Sequence, residues 1–92
     1  MVISTDLRRL KGGTVLERLS QGHIRQKKTG LLIRDAIMAS GITIEGISVL
    51  LELSTPRVIY EWMSGNKLPS LENLVNLSLM FDVKIEDLVA LR

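Results

Sequence analysis

The chain has no cysteine, two prolines, one histidine and three aromatic residues among its 92. Without cysteine there is no disulfide scaffold, no zinc–thiolate site and no thiol nucleophile. His23 has no second His, Cys or carboxylate at ligand spacing, so a surface or capping role is expected and no metal or cofactor. No long apolar run precedes the first charges, which argues against a secretory or membrane-spanning segment and for a soluble, cytoplasmic protein. There is no Gly-rich phosphate loop after a strand and no carboxylate pair with room for a substrate pocket. An enzyme is not expected.

What is present is aliphatic. Leu, Ile, Val and Phe make up 33 of the 92 residues, too apolar for disorder and enough for one small core. The net charge of +2 is the sum of two unlike halves. Residues 1–28 carry seven basic and two acidic side chains, a net of +5; residues 29–92 carry five basic and eight acidic, a net of −3. This divides the chain into a basic N-terminal extension, 1–28, and a folded body, 29–92. A basic extension of this kind is either an arm for nucleic acid or a solvated, solubilising tail.

Glycines break the extension into short pieces. Residues 6–11 have room for one or two helical turns, and Thr14 with Glu17 forms a capping-box pattern that predicts a short helix over 14–21. Such a helix is too short to persist alone in water. The run Arg25-Gln26-Lys27-Lys28 reads as exposed loop.

From residue 29 onward the apolar spacing is helical and no alternation is long enough for a strand. Five short helices are expected, making an all-α domain. Thr29 caps the first, which runs to about Ser40 with Leu32, Ile33, Ala36 and Ile37 on one stripe. Thr43 caps the second, to about Leu51. Thr55 caps the third, with Pro56 at its first position, where the missing N–H costs nothing. Ser70 caps the fourth, carrying Leu71, Leu74, Val75, Ser78 and Phe81 inward. The fifth spans about 85–90. About three residues join the second and third helices, which forces the steep crossing of a helix-turn-helix. In the third, Val58, Ile59 and Trp62 form the buried stripe, while Arg57, Tyr60, Glu61 and Ser64 face outward.

The segment from Gly41 to Leu88 resembles the DNA-binding domain of lambda-repressor/Cro-type (xenobiotic-response-element) helix-turn-helix regulators. The resemblance is carried by Gly41-Ile42-Thr43, Leu53-Ser54-Thr55-Pro56, Val58 to Trp62, Gly65 to Leu74 and Phe81 to Leu88. Its most specific element is the run from Trp62 through Gly65 to Pro69-Ser70-Leu71 and Asn73-Leu74. Ser54-Thr55-Pro56 is similar to a sub-group of short bacterial regulators. Glu52 stands where the family usually has the turn glycine, and at positive φ a glutamate costs roughly 1 kcal/mol. Ile44 stands where many members carry a phosphate-contacting glutamine.

The resemblance implies a compact lambda-repressor-like domain whose third helix, about 55–64, enters the major groove of double-stranded DNA. Arg57 matches guanine O6/N7 bidentately, and Thr55 a thymine methyl or a phosphate. Tyr60 reaches a phosphate or sugar, Thr43 a phosphate, and Asn66 and Lys67 the flanking backbone. Because a body at −3 is poorly equipped for phosphates, Arg25, Lys27 and Lys28 are candidate backbone contacts from the basic arm. A homodimer on inverted half-sites is expected, and Leu77, Leu79, Met80, Val89 and Leu91 are the apolar surplus for its interface. The alternative is an antitoxin-like or co-regulatory protein-interaction module, with a second protein as partner and weak or no DNA binding. Neither reading involves a membrane.

Overall fold

The computed structural model describes residues 23–91; the pieces expected at 6–11 and 14–21 lie outside the described residues. Four helices follow one another: α1 (Gln26–Ser40), α2 (Ile44–Leu50), α3 (Arg57–Ser64) and α4 (Leu71–Phe81), then a 3-10 turn at Ile85–Asp87. Among the described residues the only strand-like feature is an antiparallel bridge between Ile24 and Leu91.

The starts of α2 and α4 follow capping chemistry. The Thr43 hydroxyl accepts the Gly46 N–H at 3.0 Å, and the Ser70 hydroxyl accepts the Asn73 N–H at 3.2 Å. At α1 the expectation fails. Thr29 does not cap this helix but lies inside it, 1% exposed, and its hydroxyl accepts the Ala90 N–H at 2.9 Å. One turn earlier, the Arg25 N–H donates to the Ala90 carbonyl at 2.8 Å and the Thr29 N–H to the Arg25 carbonyl at 2.8 Å. Pairing with the distant 90–91 segment thus satisfies the entering chain and lets the helix begin at Gln26. The loop expected at 25–28 is therefore an N-cap and the first turn of α1.

The same pairing removes the fifth helix. After the 3-10 turn and the buried Leu88, the chain extends so that Ala90 and Leu91 meet Arg25 and Ile24. In α4 the inward stripe is Leu74, Leu77, Ser78 and Phe81, whereas Leu71 and Val75 are exposed. This helix carries two apolar stripes, and its periodicity alone does not choose between them. Leu77 is fully buried and so leaves the expected surface surplus, while Leu79 and Leu91 stay exposed.

The core is Ile33, Ile37, Ile47, Ile59, Trp62, Leu77 and Leu88. The most extensive helix packing is α1 on α3. There the backbones nearly touch: a Cβ on Gly30 would lie 2.6 Å from the carbonyl oxygens of both Trp62 and Met63. Any side chain at Gly30 pushes α1 off the end of α3. Gly30→Ala is expected to destabilise the fold by about 1–3 kcal/mol, the range for overpacking against parts that cannot yield. Thr29→Val keeps the shape but removes the acceptor of the partly buried Ala90 N–H, at a cost of about 1 kcal/mol. Urea melts of both variants check these values.

Candidate nucleic-acid interface

Between α2 and α3 the chain turns through residues 51–56, longer than expected because α2 stops at Leu50 and α3 starts at Arg57. The turn opens with a Schellman-type end: the Leu53 N–H donates to the Ser48 carbonyl at 2.9 Å and the Glu52 N–H to that of Val49 at 3.1 Å. This geometry puts the residue after the cap in the left-handed region, and Glu52 sits there at φ 55°. The turn closes with Thr55, whose hydroxyl accepts the Arg57 N–H at 3.2 Å. Pro56 is already helical in backbone (φ −62°, ψ −17°), so Thr55 acts as the cap that the sequence suggests.

With Ile59 and Trp62 locked in the core, one helical period fixes what α3 presents outward. Arg57, Tyr60, Glu61 and Ser64, joined by Asn66, line a shallow cleft of about 340 Å³. Arg57 and Asn66 are exposed and Tyr60 is about half exposed. On its other side Tyr60 borders a second groove of about 400 Å³, lined by Arg34, Met38, Ile42, Thr43 and Ile44 among others. Tyr60 is the wall between the two. The structure thus brings Arg57, Tyr60 and Asn66 to one cleft and Thr43 to the adjoining groove, with Thr55 joined to Arg57 at the helix start.

Lys67 is exposed and lies in the turn that follows α3. Its ammonium lies 3.3 Å from the Glu61 carboxylate, so the cation expected to reach DNA backbone is held by an acid on α3. Arg25, Lys27 and Lys28 are exposed at the start of α1. A Cβ on Gly65, which ends α3 at φ 80°, would lie 2.8 Å from the Lys27 Cα. The basic first turn of α1 therefore adjoins the 65–67 turn that follows α3. Arg34 is the functional candidate that sequence reasoning missed. Its only local signal was a position three residues before Ile37 on a partly apolar helix, and the groove it shares with Thr43 and Tyr60 forms only in three dimensions. Among the described residues no cluster of His, Cys, Asp or Glu is arranged to hold a metal ion, and no helix is long and apolar enough to cross a membrane.

This is a helix-turn-helix fold. The chain is similar to the controller protein C.AhdI of a restriction-modification system from Aeromonas hydrophila, with 24% identity and a TM-score of 0.60 over 68% of this chain and 94% of that one. It is also similar to the DNA-binding domain of BldD, with 17% identity and a TM-score of 0.59 over 71% of this chain and 93% of that one. The S. venezulae BldD domain matches equally well, at 17% identity and a TM-score of 0.59 over 71% and 96% of the two chains. At these identities the likeness establishes the fold. No protein-family model matches the chain, and no curated relative matches it.

Glu52 is the one residue of the turn that works against its own geometry, and it lines neither cleft. Glu52→Gly is expected to raise stability by up to about 1 kcal/mol. For a domain of this size that is about 4–8 °C in melting temperature, read by calorimetry.

Proposed function

We propose that the chain is a sequence-specific regulator that binds double-stranded DNA through α3 in the major groove and acts as a repressor-like homodimer. The observation that carries this reading is the division of α3: Ile59 and Trp62 are anchored in the core, and Arg57, Tyr60 and the following Asn66 converge on one outward cleft. The major groove admits one such helix, and its first residues meet base edges. Arg57 supplies a bidentate guanine contact. Thr55, next to it, meets a thymine methyl or a phosphate. Thr43, Arg34 and Tyr60 hold one stretch of backbone; Asn66 holds the other.

The phosphate affinity that the acidic body lacks comes from the arm. The Lys27 backbone lies against Gly65, so the exposed Arg25, Lys27 and Lys28 of the same turn extend the contact surface at the far end of α3. Dimerisation doubles these contacts, and the exposed stripe Leu71, Val75 and Leu79 on α4 supplies an apolar face for it. A bacterial, cytoplasmic protein fits this role. The Glu61–Lys67 ion pair favours the second reading, a protein-interaction module, because it removes a cation from an already acidic body. A pure protein that binds no DNA at low salt but co-purifies with a protein partner is the outcome of that reading.

Selection from a random DNA library with the full-length protein is expected to enrich a short palindromic site, bound on the order of nanomolar to micromolar and weakening steeply with salt. Arg57→Ala is expected to lose about tenfold to a hundredfold in affinity for that site and to relax one guanine position. Unchanged binding by this variant overturns the assignment of Arg57.

A further inference from the structure

We propose that Glu61 reads a cytosine in the major groove and that Lys67 holds it ready to do so. The inference rests on the DNA-binding reading above and deepens it. A bare carboxylate on a DNA-facing helix repels phosphates and is a liability. Glu61 is not bare. One of its oxygens is 3.3 Å from the exposed Lys67 ammonium, and its side chain is 26% exposed, so the charge is partly offset and the carboxylate has a neighbour that favours one orientation. Its other oxygen carries no hydrogen bond among the described residues, and the Glu61 side chain lines the cleft shared with Arg57 and Asn66.

The chemistry of base edges decides what that oxygen accepts from. Guanine presents only acceptors in the major groove, and thymine presents an acceptor and a methyl group. Adenine offers an amino donor but sets the N7 acceptor beside it, which repels a carboxylate. Cytosine offers its N4 amino group with no acceptor next to it, and so is the one base that suits an acceptor-only side chain. Arg57 precedes Glu61 by four residues on the same wall, about 6 Å along the helix axis. At about 3.4 Å per base pair, the guanine of Arg57 and the cytosine of Glu61 fall within about three base pairs of each other, on either strand. Lys67 is thereby spent on orienting a base-reading group rather than on a phosphate: the ion pair exchanges affinity for sequence discrimination.

The test is library selection and salt titration with the full-length wild type and with Glu61→Gln, which preserves the side chain's shape. The wild type is expected to enrich a cytosine near the Arg57 guanine, discriminating it from adenine by about tenfold. Glu61→Gln is expected to change that one position from cytosine to adenine, because an amide matches adenine N6/N7, and to leave the other positions as they are. Lys67, released from its partner, then meets a phosphate, and the slope of log K against log salt steepens by about one. The same base at every position in both proteins overturns the assignment of Glu61, whatever the slope does, and leaves DNA binding standing. No enriched sequence for the wild type overturns the DNA-binding reading and this proposal together.

Discussion

The crossing of α1 over the end of α3 is the contact on which the rest of the domain depends. Gly30 lets the α1 backbone come against the Trp62 and Met63 carbonyls, and Gly65 lets the following turn come against Lys27. Two glycines facing across one crossing leave no side chain to act as a spacer. The helix axis and the exit of α3 are therefore set by backbone contact, which is stiffer than side-chain packing. Trp62 fills the core on the same side, and Thr29, one residue before Gly30, ties α1 to the segment after the 3-10 turn. The crossing thus joins the first helix, the candidate recognition helix and the last described residues.

That rigidity has a consequence for the exposed side of α3. A helix of eight residues has little intrinsic stability. Here Thr55 caps its start, Gly65 ends it, and Ile59 and Trp62 lock its rotation, so Arg57, Tyr60 and Glu61 are presented at fixed angles. Base recognition needs side chains held to within a fraction of an ångström, which rigid elements supply better than loops. Apart from Arg57, the cations near it are distributed outside this helix. Arg34 borders one side, the first turn of α1 the other, and Lys67 is bound to Glu61.

Much of this was legible in the residues themselves because it rests on local chemistry. Thr43, Thr55 and Ser70 declare the starts of α2, α3 and α4, and the spacing of Ile59 and Trp62 declares which side of α3 is buried. The strained Glu52 turn was legible too, from the resemblance that puts a turn glycine at its position. What was not legible depends on partners far along the chain. Thr29 looks like a cap until Ala90, 61 positions away, claims its hydroxyl and moves the helix start back. The same pairing draws the 88–91 segment out of helix. In α4, Leu74 and Leu77 compete with Leu71, Val75 and Leu79 for the inward side, and only packing decides. At the site, the pairing of Lys67 with Glu61 and the placement of Arg34 beside Thr43 and Tyr60 are equally tertiary.

On the proposed reading, the outward side of α3, framed by the start of α2 and the 65–67 turn, is the surface that meets DNA. Amide chemical-shift perturbation in an isotope-labelled full-length protein, titrated with its selected duplex, tests it residue by residue. The largest shifts are expected at Thr43, Thr55, Arg57, Tyr60, Glu61 and Asn66, with smaller ones at the first turn of α1. Shifts confined to the exposed stripe of α4, with α3 unmoved, would contradict it.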